Sequence, residues 1–424
     1  MRVLIVNTSE RTGGAAVAAH RLMDALNNHG VKAKMLVRDK ETDSLTVVGL
    51  RGKWRQQWSF LWERFVIFLH LHLKRQRLFE IDIANAGTDI TRLREFQEAD
   101  VIHLHWVNQG MLSLSGIGKI LNSGKPVVWT MHDLWPATAI CHYARSCKNY
   151  KTACGHCPLL PGGGGANDLA SRVWRRKQRM LDGHSVSFVA CSQWLCDEAR
   201  ASALLRGQNV KSIPNAIDTH VYRPADKRQA RQSVGLPADK RVILFVSQRV
   251  TDERKGMDFL VEAVSRLAAQ YADMQSSTVI AVLGGHSEEL TERLSLPVHA
   301  LGYVSDEQQI VNVYRAADVF VTPSLEDNLP NTIMEAMACG VPCVGFRVGG
   351  IPEEIDHQKN GYVAQYRDAA DLAKGIRWVL YEADYDSLSR SAVTKVAHHY
   401  SQQSVALRYT ELYNEAIAQK HYKL

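Results

Sequence analysis

The chain has 424 residues, 46% of them hydrophobic and 22% charged, which suits two or three globular domains and excludes a disordered, collagen-like or coiled-coil protein. Lys and Arg total 51 against 44 Asp and Glu, so the net charge is +7; this mild excess suits phosphate-bearing ligands, an anionic membrane or nucleic acid and selects none of them. Eight cysteines in so long a chain exclude a disulfide scaffold.

From Met1 to Asn7 the sequence is an apolar run of strand length, far short of a signal peptide's apolar core and without a cleavage site. No uncharged stretch reaches the ~18 residues that a spanning helix needs, so the expected location is the cytoplasm, with peripheral contact on the inner membrane face left open. Short β-branched runs predict strands at Val3–Val6, Lys34–Val37, Val101–His105, Val127–Met131 and Ser187–Cys191. A second series is predicted at Val242–Val246, Val279–Leu283, Val319–Thr322 and Pro342–Phe346. Helical patterns lie between them, among them Ala15–Asn28, Leu112–Asn122, Met257–Ala269 and Asp306–Ala316. Strands alternating with helices of this length predict parallel sheets of βαβ units, and two series predict two doubly wound domains. The polar, proline-bracketed stretch from Ile213 to Pro224 is the natural break. Domains are therefore expected at 1–215 and 216–398, with a last helical segment over 399–424. In open sheets of this kind ligands bind beyond the carboxyl ends of the strands.

Two segments depart from the pattern. Residues 53–80 predict a Trp-rich helix, with Trp54, Trp58, Leu61, Trp62, Phe65, Phe68, Leu69 and Leu73 at helical spacing. Arg51, Lys53 and Arg55 flank it on one side and Lys74, Arg75 and Arg77 on the other. Such a stripe either packs on the first sheet or lies in an anionic membrane interface, and both readings stand at this point. Residues 141–165 form a Cys- and Gly-rich insertion. Its Cys141, Cys147, Cys154 and Cys157, the last two as Cys-x-x-Cys, favour a structural zinc over disulfides in a reducing compartment, with His142 and His156 as spare ligands.

Three constellations carry chemistry. After the first strand, Gly13-Gly14 opens a helix, which reads either as a tight βα turn or as an anion site at a helix N-terminus. Arg249 and Lys255 follow the Val242–Val246 strand, either as a solvated basic loop or as paired cations for a diphosphate. Asp327 and Glu335 stand eight residues apart around the start of another helix, separated by Asn328-Leu329-Pro330-Asn331, and Gly349-Gly350-Ile-Pro-Glu353 follows downstream. Carboxylates can each accept two sugar hydroxyls, while backbone N–H groups hold a third. The sole Asp-x-Asp, Asp384-Tyr-Asp386, lies in a late helical stretch with no strand before it and makes a poor metal site.

In this order the motifs resemble those of the GT-B retaining glycosyltransferases of family 4, over nearly the whole chain. The similarity includes Gly13-Gly14, the His132 turn in Thr130-Met-His-Asp-Leu-Trp135, Asn215-Ala-Ile-Asp218, the Arg249/Lys255 loop and a Glu-x7-Glu-like element. In that last element Asp327 stands where the family usually has its first Glu, with Glu326 one residue early. The resemblance implies two Rossmann-like domains facing across a deep cleft, an acceptor-binding first domain, a nucleotide-sugar-binding second domain, and a C-terminal helix crossing back to the first. It implies that Arg249, Lys255 and the helix at Gly13-Gly14 bind the diphosphate of a UDP- or GDP-sugar. Glu335 would bind the nucleotide ribose, Asp327 with Asn328, Leu329, Pro330 and Asn331 would read the sugar, and His132 would sit near the sugar ring. The implied reaction moves the sugar to a saccharide or lipid-linked saccharide of cell-surface polysaccharide, with retention and no catalytic cofactor. A GT-B sugar-nucleotide epimerase and a non-enzymatic zinc-stabilised binding module are the alternatives. Nucleic acid is not an expected partner.

Overall fold

The structure is a computed structural model, and it describes residues 1–421. The chain divides into two compact units: Met1–Ala216 together with the last helix from Val405 onward, and Ile217–Ser404. The second unit thus runs past residue 398. Its helix Tyr385–His399 ends before Ser401, which bridges back to Ile217 at the unit's first residue.

The first unit is built on β1 (Arg2–Ser9), β2 (Lys32–Asp39), β3 (Val47–Gly49), β4 (Val101–Leu104), β5 (Val127–Met131), β6 (Ser187–Ala190) and β7 (Asn209–Ser212). They form a seven-stranded sheet in the order β3-β2-β1-β4-β5-β6-β7, every pairing parallel. Ile5 pairs with Met35 on one side and with His103 on the other. The second unit has β8 (Arg241–Arg249), β9 (Thr278–Gly285), β10 (Val298–Gly302), β11 (Val319–Thr322), β12 (Cys343–Phe346) and β13 (Gly361–Ala364), in the order β10-β9-β8-β11-β12-β13. This sheet is parallel throughout as well. Sheets covered by helices on both faces make their central strands apolar without alternation, as in Val3-Leu-Ile-Val6, which is fully buried.

Each sheet therefore separates two cores. In the first unit, Leu4, Val6, Ile102 and Trp129 point to one face. Val3, Ile5, Val101 and Val128 point to the other, where they meet Tyr409, Leu412 and Tyr413 of the last helix (Gln402–His421). Every nonlocal strand pairing leaves the carboxyl ends on one edge, where loops carry the candidate residues.

The Trp-rich segment forms the helix Lys53–His70, and its polar side faces inward. Gln56, Glu63 and Arg64 are buried, whereas Trp54, Trp58, Leu61, Trp62, Phe65 and Leu69 are exposed. Packing of the aromatic stripe onto the sheet is thereby ruled out. Among the described residues no helix is long and apolar enough to cross a membrane.

Candidate functional site

In the second unit, the candidate residues cluster on loops after β8 and β11 and on the helix that follows. Lys255 closes a short 3-10 turn (Glu253–Lys255), and its Nζ lies 2.6 Å from Asp327 Oδ2 in the loop after β11. Ser324 Oγ donates to the same oxygen at 3.3 Å. The two loops are also tied through the backbone, since the Leu325 N–H donates to the Arg254 carbonyl at 2.7 Å. Gly256 makes that approach feasible. Its φ is +67°, and a Cβ there would stand 1.9 Å from the Pro323 carbonyl oxygen. Gly349 does the same on the other side of the loop, where a Cβ would stand 1.7 Å from the Asp327 carbonyl oxygen. These close approaches explain why glycines accompany the acidic element.

Glu335 lies in the helix Asn331–Ala338, and the buried Tyr314 hydroxyl donates to its Oε2 at 2.6 Å. Asn328, Leu329 and Pro330 are buried, while Asn331 and Asp327 are half-buried. Arg249, at the end of β8, is exposed and has no side-chain partner among the described residues. The second unit thus seats Lys255 on the half-buried Asp327, braces the buried Glu335 on Tyr314 and leaves Arg249 exposed at the end of β8. Glu354 lies behind it, fully buried, with no hydrogen-bond partner at either carboxylate oxygen. Burial first, and the nearby Asp327 charge second, push its acid well above the usual range, so it is held neutral.

In the first unit, Gly13 takes a φ of +93° and starts the helix Gly14–Asn28, which has no side-chain N-cap. His132 follows β5 directly. Its Nε2 shares a 2.9 Å hydrogen bond with Nδ1 of His105, and its Nδ1 lies 3.6 Å from Cys191 Sγ. The two imidazoles stack with centroids 5.2 Å apart. Burial pushes His132 down to about 4, His103 down to about 3 and His105 well below the ordinary imidazole range, so the three rings are neutral at physiological pH. His103 bonds Tyr413 Oη at 2.7 Å and Thr130 Oγ1 at 2.8 Å, which fixes the layer beneath His132.

Beside His132, Asp133 Oδ2 bonds His142 Nδ1 at 2.7 Å, and His142 Nε2 bonds Asp82 Oδ2 at 2.6 Å. Burial opposes a charge on His142, but Asp133 and Asp82 together overcome it and hold the imidazolium up at about 10. Asp82 also takes an ion pair from Arg64 of the Trp-rich helix. A buried polar chain therefore runs from that helix to the residue next to His132.

Two family descriptions match the chain: "Glycosyltransferase Family 4" over residues 12–221 and "Glycosyl transferases group 1" over residues 240–382. The chain belongs to the family 4 glycosyltransferases. Its fold agrees, because a crystal structure of HepE from Anabaena in complex with UDP and glucose superposes with a TM-score of 0.63, covering 98% of this chain and 100% of that one at 16% identity. This transferase is 27% identical over 337 residues to the D-inositol 3-phosphate glycosyltransferase of Thermobispora bispora, spanning 76% of this chain and 72% of the relative. It is 33% identical over 183 residues to the D-inositol 3-phosphate glycosyltransferase 2 of Catenulispora acidiphila, where the match spans 40% of this chain and 42% of that relative.

The Cys-rich insertion, where a structural zinc is expected, holds its four cysteines without a disulfide. Among the described residues no three His, Cys, Asp or Glu side chains are grouped to hold a metal ion, and Cys141, Cys147, Cys154 and Cys157 are free thiols. His142 is engaged by two aspartates, and His156 is exposed on the surface. Burial raises Cys154 to about 12 and Cys157 to about 11. Asp384 of the Asp-x-Asp caps the helix Tyr385–His399 by accepting from the Ser387 N–H at 3.2 Å.

Several participants escape sequence reasoning. Ser324, Tyr314 and Glu354 are common residue types whose partners are remote in sequence. Asp82 and His142 are 60 residues apart, and no local spacing announces their bond.

Proposed function

We propose that this glycosyltransferase moves a sugar with retention from a UDP- or GDP-sugar to a saccharide or lipid-linked saccharide acceptor of cell-surface polysaccharide. The observation that supports it best is the Lys255–Asp327 pair, followed along the chain by Glu335 braced on Tyr314. Cleaving a sugar–diphosphate bond leaves negative charge on phosphate and positive charge at the anomeric carbon. Arg249 and Lys255 would meet the first charge. Asp327 holds the flexible lysine in place until the diphosphate takes over that contact, so little side-chain entropy remains to be lost on binding.

In this assignment Glu335 accepts the ribose hydroxyls, and Asp327 with Asn328–Asn331 reads the sugar. His132, neutral and held at its two ring nitrogens by His105 and Cys191, would stand near the sugar ring without placing a second positive charge beside the anomeric centre. The exposed aromatic face of the Trp-rich helix supports a lipid-linked acceptor and peripheral contact with an anionic membrane.

A thermal-shift screen of UDP- and GDP-sugars tests the donor. One donor should raise the melting temperature of the native protein, and Lys255→Ala and Glu335→Ala should each reduce that rise while melting normally without ligand. Unchanged nucleotide affinity in both variants would overturn the assignment. Nucleoside diphosphate release that requires an acceptor separates transfer from epimerisation. Inositol phosphate, the acceptor named in the relatives, belongs in the same acceptor panel.

A further inference from the structure

Two neighbouring helices of the first unit turn an unusual surface outward. On the helix Lys53–His70 the inward face is mostly polar: Gln56, Glu63 and Arg64 are buried there beside a single buried apolar residue, Ile67. Glu63 Oε1 accepts from the backbone N–H groups of Ile83 and Ala84 at 2.9 and 2.6 Å. Arg64 donates to the carbonyls of Leu78 and Ile81 at 2.7 and 3.2 Å and to Asp82. These bonds fix the rotation of the helix about its axis. The opposite face then carries Trp54, 80% exposed, Trp58, 68% exposed, and Leu61, Trp62, Phe65 and Leu69 in succession. A soluble helix ordinarily shows the reverse arrangement.

The second helix, Leu169–Leu181, contains five basic residues and no acid. Lys177 turns inward to the carbonyls of Trp135 and Thr138. Arg172, Arg175, Arg176 and Arg179 stay exposed at i, i+3, i+4 and i+7, which puts them on one face. They line an open concavity of about 690 Å³ with Gln178 and Asp182. None of the four arginines has a carboxylate partner among the described residues. The two surfaces adjoin, because Arg172 Nη2 donates to His70 Nε2 at 3.0 Å at the C-terminal end of the Trp-rich helix. The only acid between residues 51 and 79 is Glu63, and it is buried.

We infer that the arginine face of Leu169–Leu181 is a binding site for the phosphates of anionic phospholipids, and that it acts together with the outward aromatic face of Lys53–His70 as one bilayer-docking surface. The aromatic side chains enter the headgroup boundary, while the guanidinium forks beside them bind phosphate oxygens in the same plane. Charge complementarity selects a lipid surface over a protein partner of mixed charge: four exposed arginines, against the single acid Asp182 in their concavity, border an apolar stripe that carries no exposed acid of its own. The inference deepens the membrane contact proposed above and rests on it, but it does not depend on the donor or the reaction.

Co-sedimentation of the full chain with phosphatidylcholine vesicles, with and without about one-third phosphatidylglycerol, tests it. The native protein should bind the anionic vesicles, more weakly as salt rises. Arg175→Ala/Arg176→Ala should lower the partition coefficient by about 25-fold, at about fivefold per charge. Trp54→Ser/Trp58→Ser should lower it by at least about tenfold even at low salt. All four positions are exposed, so melting temperature and nucleotide affinity should stay unchanged in both variants. That separates failure of the docking surface from failure of the transferase assignment. Equal sedimentation of native and variant proteins would overturn the inference. So would competition by millimolar inorganic phosphate without any vesicle preference, or light scattering that shows the aromatic face closing a dimer in the absence of lipid.

Discussion

Gly256→Ala is the perturbation that most directly tests how the donor-side loops are held. The residue precedes the helix Met257–Gln270 with φ +67°, and an added Cβ would stand 1.9 Å from the Pro323 carbonyl oxygen. Two costs separate cleanly. The left-handed backbone costs Ala about 1–2 kcal/mol, partly offset by about 0.4–1 kcal/mol of entropy removed from the unfolded chain. The contact must open by more than an ångström against backbone rather than a flexible side chain, which adds about 1–3 kcal/mol. Gly235 provides the control, because its φ is +71° and nothing lies within 4 Å of its Cβ position. Gly235→Ala should therefore cost about 1 kcal/mol or less, and Gly256→Ala about 2–4 kcal/mol. For a unit of this size the second figure corresponds to a fall of roughly 5–15 °C in melting temperature. Because the same displacement separates Lys255 from Ser324 and Asp327, nucleotide affinity should fall in Gly256→Ala and not in Gly235→Ala. Differential scanning calorimetry with nucleotide titration measures both quantities. Equal melting temperatures and equal affinities for the two variants would refute the claim that close backbone approach at Gly256 positions the lysine.

Tyr314→Phe removes the donor to Glu335 Oε2 and should cost about 1–3 kcal/mol of stability in denaturant titration, with weaker nucleotide binding. Glu354, whose folded pKa is raised, contributes stability that is fully present below the unfolded carboxyl range and is lost as pH rises through the folded value. Glu354→Gln should therefore melt higher than the native protein at alkaline pH, with the gap closing on acidification. His132 and His103 behave in the opposite sense, since their folded values of about 4 and about 3 lie below the ordinary 6.5. Their contribution is present above about pH 6.5 and is lost as pH falls toward 4, so acid unfolding should begin in that window and shift downward in His103→Asn. Activity between pH 7 and 8 should show no titration of His132, and a pH–rate profile of the native enzyme checks this.

The interior of both sheets was legible in the residues. Strands β1, β2, β4, β5 and β6, and β8, β9, β11 and β12, all announce themselves as short apolar runs, because a strand covered on both faces has no polar positions to spare. The four strands that give no such signal, β3, β7, β10 and β13, are the edges of the two sheets. Asn209–Ser212 and Val298–Gly302 are only partly covered, and their polar or short sequences read as loops. A strand at an edge is specified by its neighbour's hydrogen bonds, and that neighbour is remote in sequence.

Composition and motif order by themselves determined a two-sheet α/β enzyme with a phosphate-suited basic loop, a carboxylate pair flanking a helix start, and a histidine after a central strand. Each follows from local chemistry: period, turn residues and charge at a strand's end. Only the tertiary structure decided where the long-range partners fall. It placed Lys255 on Asp327 and Tyr314 on Glu335, and it gave His142 to Asp82 and Asp133. It also decided which side of the Trp-rich helix faces out. Helical spacing places Trp54, Trp58 and Trp62 on one face, but the direction of that face depends on where Glu63 and Arg64 find buried partners at Ile83, Ala84 and Asp82. Burying such groups is tolerable only when hydrogen bonds offset the lost hydration, and the bonds that Glu63 Oε1 and the Arg64 guanidinium make are supplied by chain that the helix meets only on folding.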